Sequence, residues 1–193
     1  MNLERRAKWE ERHRDTTPGD PEPSVIEMLP LLPRGTALDI AAGTGRNAIA
    51  LARAGWRVVA ADFSLTGMRT LAEIAQHENL AISPLVANLE DSFPFRRNSF
   101  DVILNVSYLD RALVPLLKDA LRPRGALLFD TFLIDEADEA GHGHLRNNRF
   151  TLDHYELRAL LADLELVRYR EGLVIYPNGK RAWRATALAL RGN

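Results

Sequence analysis

Hydrophobic positions in this chain come in short blocks, with longer polar-apolar mixtures between them. Apolar runs fall at 36–41 (TALDIA), 57–62 (RVVAAD), 82–87, 100–106 (FDVILNV) and 125–132, the last containing ALLFDTF. They show little polar alternation, the pattern of parallel strands covered on both faces. The intervening stretches 45–54, 65–78, 111–121 and 152–162 space their apolar residues as helices do. Strands alternating with helices of this length predict a doubly wound α/β sheet.

The two ends break that rhythm. At the carboxyl end, LELVRYREGLVIY and RAWRATALALR are two strand-like runs joined by PNGK, a hairpin signal at Asn178-Gly179. Strands joined this tightly pair antiparallel. The expected sheet is therefore mostly parallel, with a final strand inserted antiparallel. At the amino end, residues 1 to about 17 are polar apart from Trp9. Two readings stay open: a solvated arm, or a helix that docks by Trp9 and covers a site. Thr16 to Ser24 holds three prolines and a glycine and reads as a loop. Ser24 is expected to cap a short helix through Leu29 that Pro30 and Pro33 end. Pro123 and Gly125 are expected to mark the step into the 125–132 strand.

Composition narrows the classes. The 193 residues suit one domain, 1–193, with residues 1–23 as an arm and candidate lid. The chain is 46% hydrophobic and 26% charged, with a formal net charge of -1, so no basic face argues for nucleic acid. No apolar stretch approaches a membrane span, and the first residues lack the apolar core of a secretory signal. There are no cysteines, which removes disulfides and thiolate chemistry and agrees with a cytoplasmic location.

The candidate chemistry lies in LDIAAGTGRNAIALARAGWRVVAADFS, Leu38 to Ser64. Gly43 and Gly45 allow a sharp turn and close backbone approach. The helix that follows aims backbone N–H groups at the space beyond the strand ends. Asp62 closes the next strand, where a carboxylate can accept both hydroxyls of a ribose. A dinucleotide site would read G-x-G-x-x-G, and G-T-G-R-N-A with Ala48 last does not exclude it. Asp39 weighs against it: an acid facing the cradle repels a pyrophosphate and suits a ligand bearing a cationic amino group. The cradle also lacks G-K-[ST], which excludes a P-loop. Ser107 lacks a G-x-S-x-G elbow, which argues against a hydrolase triad.

These residues resemble motif I of the class I S-adenosylmethionine-dependent methyltransferases. The family's D-x-G-x-G-x-G stands here as D-I-A-A-G-T-G, with Ala41 at the first glycine position. VANLEDSFPFRRNSFDVILNV and LRPRGALLFDTF resemble the family's later segments, and NVSYLDRALVPLL, RFTLDHYELRALL and YPNGKRAWRATALAL are most similar to the small tellurite- and thiopurine-type enzymes. The resemblance implies a Rossmann-like, three-layer α/β/α fold with seven strands. It implies that Asp39, Ala41, Gly43, Gly45 and Asn47 lie along the methionine part of S-adenosyl-L-methionine. Asp62 would hold the ribose, Phe63 would lie against the adenine, and Ser64 would cap the next helix. Asn88, Leu89 and Glu90 would meet the adenine edge; Asn105 and Val106 would lie beneath the methionine. The products would be S-adenosyl-L-homocysteine and a methylated small molecule, made by a monomer or homodimer.

Acceptor-side candidates are Tyr108, Asp110, Arg149 and Arg184; the two arginines either clamp an anionic acceptor or pair with acids of the sheet. Asp135 to Phe150 is a long polar loop whose Gly141 and Gly143 suit a lid. His142 and His144 in that loop read as solvated rather than metal-binding, so no metal is expected. The competing functions are a module that binds the cofactor without catalysis and a nicotinamide-dependent oxidoreductase.

Overall fold

The computed structural model describes residues 3–14, 16–134 and 149–193, with side chains from residue 7 of the first segment. Its elements run in order α1 (Leu3–Arg14), α2 (Pro23–Met28), β1 (Thr36–Ile40), α3 (Arg46–Arg53), β2 (Arg57–Asp62), α4 (Leu65–His77), β3 (Ile82–Val86), β4 (Phe100–Val106), α5 (Val114–Ala120), β5 (Leu121–Phe132), α6 (Glu156–Leu160), β6 (Glu165–Ile175) and β7 (Arg181–Leu190). One seven-stranded sheet has the order β3-β2-β1-β4-β5-β7-β6. β1 to β5 are parallel neighbours, and β7 enters antiparallel between β5 and β6. The expected topology is the observed one.

Two apolar layers sandwich the sheet. On one face α2, α3 and α4 bring Val25, Leu51, Met68 and Leu71 onto Ala37, Val58, Val102 and Leu128. On the other, α5 and α6 bring Leu117 and Leu157 onto Leu38, Ile103, Leu127 and Ala187. Residues along one strand alternate between these layers, which is why the strands carry no polar face. Strand order reverses between β1 and β4, the place where doubly wound sheets open a crevice beyond their carboxyl ends.

Several boundaries differ from the sequence expectation. The short second helix is capped by Glu22, with Pro23 in its first turn; Ser24 lies inside it, its hydroxyl buried without a partner among the described residues. Proline suits that first position because its missing N–H would have no helical partner. The 111–121 segment begins as a 3₁₀ turn, Arg111–Leu113, before α5 takes over. β5 begins at Leu121, four residues early, because Leu121 pairs with Phe100 before the register shifts and Ala126 resumes against Val102. The 152–162 helix shrinks to Glu156–Leu160, since Tyr155 at its start is left-handed (φ 63).

Candidate functional site

The turn between β1 and α3 forms the floor of the crevice. Ala41 leaves the strand in the left-handed region (φ 51), followed by Gly43 (φ 60) and Gly45 (φ 88). Gly45 caps α3 and leaves no room for a side chain: a Cβ there would stand 2.3 Å from a methyl of Leu71. The turn is pinned to β2 by Ala42, whose N–H donates to the Ala61 carbonyl at 3.2 Å.

Two carboxylates flank this turn from adjacent strands. Asp39 pairs in register with Ala60 of β2, and Asp62 ends that strand two residues later. Asp39 is 1% exposed, and its Oδ2 has no hydrogen-bond partner among the described residues. Burial pushes its pKa up to about 7, although the Ala48 backbone N–H and the Arg46 charge pull the other way; Asp62 adds to the rise. Asp62 is nearly as buried but better satisfied: Oδ2 accepts from the Gly43 N–H at 2.9 Å and Oδ1 from the Ser64 N–H at 2.8 Å. Burial still raises its pKa, against those two bonds and the nearby His13.

The first helix docks here, with Glu10 and His13 in contact with α4 and the glycine turn. Ser64 caps α4 by accepting the Gly67 N–H at 3.1 Å, and its own hydroxyl donates to Glu10 at 3.0 Å. Glu10 also accepts from the N–H groups of Leu65 (2.9 Å) and Thr66 (3.2 Å), so α1 supplies an anion to the amino end of α4. Burial opposes that charge, but hydrogen bonds from Thr66, Leu65 and Ser64 outweigh it and hold the Glu10 pKa below the ordinary value. His13 is buried against Gly43 and Gly67, and burial lowers its pKa despite the Asp62 charge. Gly67 is needed for this approach, because a Cβ there would lie 2.6 Å from the Gly43 carbonyl oxygen. Trp9 packs on the His13 ring at 5.7 Å between centroids. Glu10 and His13 were not among the expected site residues; their spacing of three on one helix face was the available signal.

The other expected residues distribute around the crevice. Phe63 follows Asp62, half-buried, and Ser64 is fully buried. Asn88 is tied to its own loop, donating to Asp91 at 2.5 Å and accepting from the Glu90 N–H at 3.3 Å, with Leu89 buried beneath and Glu90 exposed. Asn47 is buried and accepts the Glu22 N–H at 2.9 Å, which holds the 16–22 loop to α3. Asn105 is buried at the end of β4 with Val106 after it, and its amide donates to the Tyr108 carbonyl at 2.9 Å.

On the acceptor side, Asp110 caps the 3₁₀ turn through the Ala112 N–H at 3.0 Å, while Tyr108 is half-buried. The Arg149 guanidinium lies 5.5 Å from the Phe150 ring centre. Arg184 takes the ion-pair alternative: it is 2% exposed, its Nε donates to Asp130 at 2.6 Å, and a second N–H reaches the same carboxylate. Asp130 also accepts the Thr186 hydroxyl at 2.8 Å. Nearby, Glu22 bridges the Tyr176 hydroxyl (2.6 Å) and Arg46 (2.6 Å). The expected lid, 135–150, falls outside the described residues except at Arg149 and Phe150, as do His142 and His144. No metal-binding cluster occurs among the described residues, and no helix there is long and apolar enough to cross a membrane.

Comparison with known proteins gives consistent findings. Residues 37–125 match the family described as a methyltransferase domain. Demethylmenaquinone methyltransferase of Renibacterium salmoninarum is 32% identical over 114 residues, which cover 56% of this chain and 46% of that one. The chain thus spans about half the length of that relative. TehB from Haemophilus influenzae superposes with a TM-score of 0.76 at 20% identity, over 89% of this chain and 62% of that one. Geranyl diphosphate C-methyltransferase from Streptomyces coelicolor, solved with Mg2+, geranyl diphosphate and S-adenosyl-L-homocysteine, gives a TM-score of 0.69 at 15% identity, over 86% and 79%. At these identities the two structures speak to the fold.

Proposed function

We propose, from the premise that this chain carries a methyltransferase domain of class I fold, that it binds S-adenosyl-L-methionine and methylates a small molecule. The observation that carries the reading is the pair of buried acids on adjacent strand ends, with the Asp39 Oδ2 left without a partner among the described residues beside the glycine turn. An orphaned buried carboxylate oxygen is costly unless a donor arrives to meet it. A ligand ammonium group is such a donor, so the residues present fit this cofactor. Asp39 would hold the amino group, and Asp62, already oriented by Gly43 and Ser64, would hold the ribose hydroxyls with its remaining lone pairs. Phe63 would face the adenine, with Leu89 and Asn88 at its edge. The cofactor, when bound, supplies a methyl group activated by its sulfonium. The protein contributes position and a water-poor setting. α1, clamped to α4 through Glu10, would close one side of the cradle.

A small acceptor agrees with the near-neutral charge of the chain, -1 overall. It also agrees with the small molecule, geranyl diphosphate, that the Streptomyces enzyme of the same fold holds. The test is calorimetry with S-adenosyl-L-methionine, S-adenosyl-L-homocysteine and NAD, followed by incubation with methyl-labelled cofactor and pooled thiols, oxyanions, amines and phenols. The expected result is binding of the first two and not of NAD, a loss of at least tenfold in Asp62→Ala, and label transferred to one pool. Preferential binding of NAD would refute the cofactor assignment; binding without transfer to any pool would refute the activity.

A further inference from the structure

The carboxyl end of β4 carries a serine whose hydroxyl has been left a single task. Ser107 follows the last residue of β4, in the left-handed region (φ 58), where a side chain other than glycine's is strained. Its backbone is fixed there by an N–H that donates to the Asp130 carbonyl at 2.7 Å. Its Oγ accepts two N–H groups from Arg184, Nη1 and Nη2, each at 3.1 Å. A serine oxygen has two lone pairs and one hydrogen. The two N–H groups belong to one guanidinium and reach the oxygen from one side, so the hydroxyl hydrogen turns away from the arginine and is the part of Ser107 placed to meet a lone pair of a further group.

That donor is polarised and exposed. Arg184 lies 4.6 Å over the Phe132 ring, pinned by Asp130 from below, so its guanidinium edge is presented to Ser107 and cannot swing away. Hydrogen bonds in such a chain reinforce one another. Ser107 itself is exposed, and no acceptor for its hydrogen occurs among the described residues. Its place is also telling. Asn105 stands in register with Ile40 of β1, so Ser107 lies one strand across from the glycine turn and two residues further along. That is the crevice beyond the strand ends, on the side away from Asp62.

We infer that the hydroxyl of Ser107, held by Arg184, is the recognition donor of the acceptor pocket, and that the acceptor carries a lone-pair oxygen, carboxylate or carbonyl, to meet it. This rests on the reading of the crevice as a methyltransferase site. Ser107 is the contact; Arg184 is a positioning residue that acts through it. The nearest positive charge is already matched by Asp130, which favours one hydrogen-bonded oxygen over a polyanion.

The test uses the full chain saturated with S-adenosyl-L-homocysteine and two probes of one shape and opposite hydrogen-bonding character, benzoate and benzylammonium. Titrations at pH 7.5 are followed by backbone amide NMR. Benzoate should bind saturably and shift the Ser107 and Arg184 amides, and benzylammonium should not. Ser107→Gly is the informative variant because it removes the hydroxyl while relaxing the left-handed backbone. It should bind benzoate at least fivefold more weakly with an unchanged or higher Tm. A lowered Tm with unchanged benzoate affinity would make Ser107 merely a structural partner of Arg184 and overturn the inference. Absence of saturable benzoate binding, or equal binding of benzylammonium, would overturn it too. Failure of S-adenosyl-L-homocysteine to bind the wild-type chain would count separately, against the cofactor assignment.

Discussion

Replacing Asp39 by asparagine should move stability and cofactor affinity in opposite directions. The buried carboxyl has its pKa raised from 3.8 to about 7. A group raised in the folded state contributes stability that is full below its unfolded pKa and is lost as pH rises through the folded one. The ligand-free protein therefore loses stability between about pH 4 and pH 7, by at most about 4 kcal/mol at 1.36 kcal/mol per pKa unit. Asp39→Asn keeps the shape and removes the ionisation, so it should raise Tm at pH 7.5 and have little effect at pH 4. Binding has the reverse sign, because a ligand ammonium needs the ionised carboxylate. Wild-type affinity for S-adenosyl-L-homocysteine should rise about fivefold from pH 6 to pH 7, as the ionised fraction climbs from about one tenth to one half. Above about pH 8 the ligand's own amine begins to lose its charge and the gain should stop. Calorimetry at pH 6 in buffers of different ionisation enthalpy should register nearly one proton released per ligand. Asp39→Asn should abolish both the slope and the proton release while weakening binding. A wild-type affinity that is flat from pH 6 to pH 7, or a variant with lowered Tm at pH 7.5, would refute this account of the site.

Three other outcomes follow from the same geometry. Gly45→Ala places a methyl 2.3 Å from Leu71 on a backbone of positive φ, and should cost about 2–3 kcal/mol in denaturant unfolding. Asp130→Ala strands the buried Arg184 charge and should cost about 3–5 kcal/mol, with the double variant Asp130→Ala/Arg184→Met recovering part of it. Glu10→Ala removes the outside cap of α4 and should weaken that end by about 1 kcal/mol, read as faster hydrogen exchange at Leu65 and Thr66. Because the Glu10 pKa is held down, the wild-type protection should be present above its unfolded value of 4.5 and fade as pH falls through the lower folded value.

Local chemistry made much of this fold legible. β2 and β4 were readable to the residue, since each is an apolar run closed by a polar group, Asp62 in one case and the Ser107 turn in the other. The antiparallel insertion followed from a hairpin too short for a crossover. What escaped depended on distant partners or on special backbone angles. The start of β5 is decided by Leu121 finding Phe100, and α6 is cut short by a left-handed Tyr155 that no propensity would suggest. Asp39, Gly43 and Asp62 could be grouped because they lie within one stretch of chain. Glu10 reaches Ser64 across 54 residues, so its partner was invisible in the sequence. Arg184 could be read only as a choice between clamp and ion pair, since its partner Asp130 sits on another strand.

The clasp of Glu10 on α4 bears on how the protein should be handled. A crystallographer trimming floppy ends would be drawn to begin the chain at the prolines after Thr16, where regular structure pauses. That cut discards the carboxylate covering the Leu65 and Thr66 amides and the imidazole seated on Gly43. The shortened protein would also lose the His13 and Glu10 charges that bear on Asp62, so weak binding of S-adenosyl-L-homocysteine by it would not test the proposed site.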